Sequence, residues 1–173
     1  AFYEYTFDSA KIARSKGVKN VMVSAGYIHE KPLRQLCKYI DAANIDLKSF
    51  SDEIYAMLNA GKLEPVLNTL KTLKEEGVWL EITNLIVPEW TDDTEMIKKM
   101  CGWLVDNGFE STPIHFSRFH PLHKLKHLPP TPIKTLENAR KIAISQGLKY
   151  VYIGNVPNTQ AEKLYVFHIY VST

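Results

Sequence analysis

Strand-like and helix-like stretches alternate along this chain with a period of roughly thirty residues. No other feature restricts the fold as much. A strand, a helix and a second strand pack back on one another as a right-handed parallel unit. Strand-like stretches run over 19–24, 42–47, 78–87, 112–117 and 148–153. The first helix has Asp8 near its start and stops at Gly17. The second, Glu30 to Ile40, carries Pro32 in its first turn, where proline is tolerated. Ser51-Asp52-Glu53 opens a short helix. Leu67, Leu70 and Leu73 lie at helical spacing in 63–76, and Gly77 ends that segment. Thr91-Asp92-Asp93 caps a helix running to Asn107-Gly108. Thr131-Pro132 starts the last, with proline at its first position, and Gln146-Gly147 closes it.

The predicted class is therefore α/β with five parallel strands, as one domain. Two architectures suit it, a doubly wound sheet and part of a (β/α) barrel. Each strand ends in polar residues: Ser24, Asp46 with Lys48, Thr83 with Asn84, Arg118 with His120, and Asn155. A barrel gathers such tips at one mouth, whereas a flat sheet spreads them along an edge. The polar tips favour the barrel. A closed barrel needs about eight strands, so five make a partial one.

The second strand carries the clearest site. Apolar Ala43, Ile45 and Leu47 alternate with Asn44, Asp46 and Lys48, so the acid and the amine share one face. Ligands of parallel α/β proteins gather at C-terminal strand ends. The alternative is a surface ion pair at the start of a loop. His120 follows a strand and precedes Pro121, which aims its ring at the same mouth.

Composition excludes several classes. A net charge of +2 is too small to argue for a nucleic acid or a membrane surface. No apolar run reaches the ~20 residues of a membrane-spanning helix. The first residues show no signal-peptide pattern, and without an initiator Met the chain reads as starting inside a longer product. Cys37 and Cys101, far apart and outside any C-x-x-C, suit a reducing compartment, with the cytoplasm as default. No phosphate loop, dinucleotide fingerprint, H-E-x-x-H or nucleophile elbow occurs. His120, His123 and His127 have lysines between them and no nearby cysteine, which suits a solvated basic loop better than zinc. Arg118, Lys124 and Lys126 add a small basic patch. Tyr27, Trp79, Trp90 and Phe119 read as core or rim aromatics.

Phe2-Tyr3-Glu4-Tyr5, Asn44-Ile45-Asp46-Leu47-Lys48-Ser49-Phe50, Leu63-Glu64-Pro65-Val66-Leu67, Leu85-Ile86-Val87-Pro88, Ser117-Arg118-Phe119-His120-Pro121, Leu128-Pro129-Pro130-Thr131-Pro132 and Tyr152-Ile153-Gly154-Asn155-Val156-Pro157 occur in that order. In this the chain resembles radical S-adenosylmethionine enzymes of the pyruvate formate-lyase activating enzyme type, and looks closest to the AmmeMemoRadiSam system radical enzyme branch. The resemblance covers residues 1–157 and leaves 158–173 as an unmatched tail. It implies a partial (β/α)₆ barrel holding S-adenosylmethionine and a [4Fe–4S] cluster. It implies a 5′-deoxyadenosyl radical and, in activating enzymes, hydrogen abstraction from a glycine of a partner protein. Asp46 and Lys48 fall on the strand-tip residues that contact the cofactor or its cation. His120 falls on the histidine near its ribose or amino-acid part, Ser24 in the preceding tip motif, and Val87 on a position near the adenine.

The family holds its cluster with C-x-x-x-C-x-x-C, and no such triplet occurs here. The chain therefore resembles the C-terminal two-thirds of such an enzyme, and the stretch alone is expected to bind neither cluster nor cofactor and to be inactive. Val23, Ala25 and Glu89 depart from the family pattern, glycine being usual at the last. The tail from Lys163 is aromatic and β-prone, which with open sheet edges suggests a homo-dimer. Two other functions suit the residues: a Schiff-base lyase or aldolase using Lys48 with Asp46, and a non-catalytic barrel remnant that binds a partner protein.

Overall fold

The computed structural model describes residues 2–156. Its strands are β1 (Val21–Ser24), β2 (Ala42–Asp46), β3 (Trp79–Ile86), β4 (Ile114–Arg118) and β5 (Val151–Gly154). All four neighbouring pairs are parallel, in the order β1-β2-β3-β4-β5. A doubly wound sheet reverses strand order at a switch point. This sheet never does, so each crossover advances the same way, as around a barrel wall.

The helices are α1 (Tyr3–Ser15), α2 (Glu30–Cys37), α3 (Asp52–Asn59), α4 (Leu63–Glu75), α5 (Thr94–Asp106) and α6 (Ile133–Ser145). One face of the sheet is buried with them. Ala43, Ile45, Ile82, Ile86, Ile114, Phe116, Val151 and Ile153 share a core with Leu33, Leu36, Leu70, Leu73, Met100, Leu104, Leu136 and Ala139. Burying each large side chain contributes roughly 1.5–3 kcal/mol. The opposite face is open. Val21, Val23 and Trp79 are exposed on it, and Asn44, Asp46, Glu81, Thr83, His115 and Tyr152 are half-buried.

The strand and helix order matches the sequence reading, with three informative differences. The first helix begins at Tyr3, so Asp8 lies inside it rather than near its start. Aromatic packing extends it: Tyr3 stacks on Phe7, Phe7 meets Tyr39 edge-on, and the Tyr3 hydroxyl donates to the Pro32 carbonyl at 3.0 Å. The last helix begins at Ile133, and Pro132 stays extended before it (ψ 139°). Its neighbour Thr131 is buried and tied to β3 and β4, which holds the chain straight until that point. The first strand begins at Val21 rather than residue 19. Asn20 is occupied in a junction, donating from its side chain to the Ala10 and Tyr39 carbonyls and from its backbone to Asp41. The Ser51 and Asp93 side chains cap α3 and α5 as the sequence predicts. No described helix is long and apolar enough to cross a membrane. The aromatic, β-prone reading of the tail lies outside the described residues.

Candidate functional site

Parallel strands bring all five C-terminal tips to one edge. At the tip of β2 the Lys48 ammonium donates to the Asp46 carboxylate at 2.9 Å, each side chain being about a third exposed. Their common face follows from period-two alternation, because Leu47 between them points into the core and is fully buried.

Three bonds fix this tip after the strand has ended. The Leu47 N–H donates to the Thr83 carbonyl at 2.9 Å. Asn84 Nδ2 donates to the Leu47 carbonyl at 2.7 Å, and the Lys48 N–H donates to the Tyr55 hydroxyl at 3.0 Å. Side chains thus continue the ladder where backbone partners run out, as buried amides require. Tyr55 is itself buried, which pushes its phenol up to about 12, with the Asp46 carboxylate acting the same way. Asn84 Oδ1 is buried with no hydrogen-bond partner among the described residues.

The other predicted residues lie along the same edge, each on its own strand. Ser24 ends β1, in register with Ile45, and its hydroxyl accepts the Gly26 N–H at 3.1 Å. Gly26 has φ +69°, and a Cβ there would stand 2.7 Å from Ile45 Cγ2, so only glycine fits the turn. Val87 follows β3 and is buried with Phe119 and Leu128 in a small separate cluster. Its N–H donates to Thr91 Oγ1 at 2.7 Å. His120 lies two residues beyond β4 and is exposed. The Thr131 hydroxyl accepts the Phe119 N–H at 3.0 Å and donates to the Ile86 carbonyl at 2.5 Å, so it fastens the tips of β3 and β4 together. Contact joins Asp46 to Lys48; β3 stands between that pair and the strand that carries His120.

Two polar pairs deeper on the open face escaped the sequence reading. Thr83 Oγ1 donates to Asn44 Oδ1 at 2.8 Å. Glu81 Oε2 and His115 Nε2 lie 2.8 Å apart, and His115 stacks on Tyr152 at 5.2 Å. The His115 hydrogen bond holds the Glu81 carboxyl below its ordinary range, against the opposing effect of burial. Alternation within each strand did place Glu81 and His115 on one face. Their pairing depends on the β3–β4 register, which alternation does not carry.

Neither cysteine suits an iron–sulfur cluster. Cys37 and Cys101 are buried on α2 and α5, and burial pushes their thiols up to about 11 and about 12. Cluster ligation needs thiolates. Among the described residues no three His, Cys, Asp or Glu side chains converge as a metal site. The tip of β2, by contrast, fits a small zwitterion. Its acid complements ammonium or sulfonium charge, and its amine complements a carboxylate.

Residues 1–101 match the sequence profile of the radical SAM superfamily. An uncharacterized protein of Methanocaldococcus jannaschii is 48% identical over 164 residues, covering 95% of this chain and 48% of that protein. The pyruvate formate-lyase 1-activating enzyme of Escherichia coli is 23% identical, covering 86% of this chain and 65% of the enzyme. The chain thus spans about half to two-thirds of the length of these relatives. Among solved structures, a domain of pyruvate-formate lyase-activating enzyme from Bacteroides vulgatus superposes with a TM-score of 0.73 at 17% identity, covering 88% of this chain and 91% of that domain. Streptococcus suis SuiB bound to S-adenosylmethionine gives 0.66 at 10% identity, covering 91% of this chain and 37% of SuiB. These structural likenesses support the partial-barrel fold.

Proposed function

The chain belongs to the radical SAM superfamily, and from that premise we propose that it is the cofactor-gripping part of an enzyme resembling pyruvate formate-lyase activating enzymes. The observation that carries this reading is the Asp46–Lys48 pair, fixed by three bonds at the open edge of a parallel sheet. In this superfamily the bound cofactor supplies a 5′-deoxyadenosyl radical that abstracts hydrogen. This chain contributes binding and orientation. The Lys48 ammonium meets the carboxylate of the cofactor's amino-acid part, and Asp46 balances cationic charge beside it. Ser24 shapes the turn after β1, Val87 closes the apolar side of the rim, and His120 contributes an exposed imidazole from the far side of β3.

The cluster is a separate matter. Buried, protonated thiols on two different helices do not suit iron, so cluster ligation belongs to residues outside this stretch. The stretch by itself is therefore inactive, and the substrate is a glycine of a partner protein. The M. jannaschii relative, twice as long, supports looking beyond Ala1 in the gene. The test is to express the entire coding region, reconstitute it anaerobically with iron and sulfide, and assay 5′-deoxyadenosine after reduction with S-adenosylmethionine. Formation of 5′-deoxyadenosine, greatly reduced by Asp46→Ala, supports the reading. A coding region with no C-x-x-x-C-x-x-C, or a product that never cleaves the cofactor, refutes it.

A further inference from the structure

Among the described residues the strands direct two acids to the open face, Asp46 and Glu81, and the two are matched differently. Asp46 is met by the Lys48 ammonium. No described lysine or arginine reaches Glu81; its ion-pair partner is the His115 imidazole, charged only when protonated. With that ring neutral, the pair carries a full negative charge. The Glu81 side chain is 17% exposed. The His115 hydrogen bond, helped by the Trp79 indole, outweighs burial and holds its carboxyl below the ordinary range, so it stays ionised. Aromatic rings lie beside the pair. Trp79, two positions earlier on the same face of β3, is 64% exposed. His115 stacks on Tyr152 of the next strand, with centroids 5.2 Å apart. A carboxylate and an aromatic face each attract an organic cation, more strongly where water is partly excluded. Asp46 is in register with Thr83, so Glu81 stands two residues, about 7 Å, below the cofactor rim.

We propose that this lower part of the open face seats a cationic group of the substrate, a guanidinium or an ammonium. Glu81 supplies the opposite charge, and the exposed Trp79 ring is the surface the cation lies against. The cation sits deeper than the cofactor, which meets Asp46 and Lys48 at the rim. Glu81 thereby selects among substrates, because a neutral or acidic group of the same size leaves its carboxylate desolvated and unmatched. That the cation belongs to the substrate rests on the radical-enzyme reading; the preference of Glu81 and Trp79 for a cation does not. A basic side chain near the partner's glycine and a free small amine present the same chemistry.

The test uses this chain, labelled with ¹⁵N, at about pH 8, above the ordinary imidazole range. Ethylguanidinium is added while the backbone amides and the Trp79 indole N–H are followed. Saturable shifts at Trp79, Glu81 and His115, absent with the neutral isostere ethylurea, are expected. Glu81→Gln keeps the size and an oxygen for His115, and should weaken binding roughly tenfold or more, the loss expected for one charge-assisted bond. Trp79→Leu, at an exposed position, should weaken it about two- to fivefold without disturbing the fold. Acetyl-glycyl-arginine amide separates the two sources. Tighter binding than ethylguanidinium assigns the cation to a protein segment; equal or weaker binding assigns it to a free amine and counts against a protein substrate. Three results overturn the proposal: no saturable shift, a response undiminished in Glu81→Gln, or tighter binding of trimethylsulfonium than of ethylguanidinium. The last would make Glu81 part of the cofactor's own charge site. Failure of the broader reading registers elsewhere, as the absence of 5′-deoxyadenosine from the complete gene product, and leaves the ethylguanidinium result intact.

Discussion

The two faces of this sheet are built from the same strands yet follow different chemistry. Under the helices the inward positions of β2 and β5 are apolar and buried; β3 departs from this once, at Asn84, and β4 once, at half-buried Arg118 on its tip. On the open face the same strands carry Asn44, Asp46, Glu81, Thr83 and His115: Asn44 pairs with Thr83 and Glu81 with His115 across strands, and Asp46 pairs with Lys48 just beyond its own strand. The helix face holds the fold together by burial; the open face arranges charge. Asn84 sits on the buried side, but its amide reaches the Leu47 carbonyl and steadies the charged tip from below.

If that division is right, substitutions on the two faces should differ in kind as well as size. Phe116→Ala, fully buried on the helix face, should cost about 3–5 kcal/mol in denaturant unfolding. A loss under about 1 kcal/mol would mean that the helix face is loosely packed. Gly26→Ala comes next, at about 1–3 kcal/mol, because its Cβ would push on Ile45 at a backbone conformation that disfavours side chains.

Glu81→Gln tests the open face and should cost about 1 kcal/mol near neutral pH. The sign of its pH dependence is definite. A carboxylate titrating below its ordinary value of 4.5 stabilises the fold fully above that value and loses the contribution as pH falls through its lower folded value. Glu81→Gln should therefore flatten the acid limb of the stability curve, and an unchanged acid limb would show that the His115 contact contributes nothing. Val23→Thr should be the smallest change, within about 0.5 kcal/mol, since Val23 is 77% exposed. Cys37 and Cys101 sharpen the same contrast through chemistry. Both should resist iodoacetamide in the folded chain and react once it unfolds, because burial keeps them as thiols.

Much of this was legible in the sequence because it depends on local periodicity. Alternation at 42–48 paired Asp46 with Lys48, and the helix-face core follows from leucine spacing such as Leu67, Leu70 and Leu73. Caps at Ser51 and Asp93 could be read directly. What escaped depends on contacts distant in the chain. Glu81 meets His115 across 34 positions, and Thr131 ties Ile86 to Phe119. The early start of α1 has partly the same origin, since Tyr3 is held by the Pro32 carbonyl and its stacking partner Phe7 by Tyr39.

The most direct trial of the account compares S-adenosylmethionine affinity among variants of the reconstituted gene product. Asp46→Asn and Lys48→Met should each weaken binding roughly tenfold or more. Glu81→Gln, lower on the same face, should leave the affinity within about twofold of the unmodified protein. Equal losses at all three positions, or none at Asp46 and Lys48, would contradict the claim that the strand tips grip the cofactor.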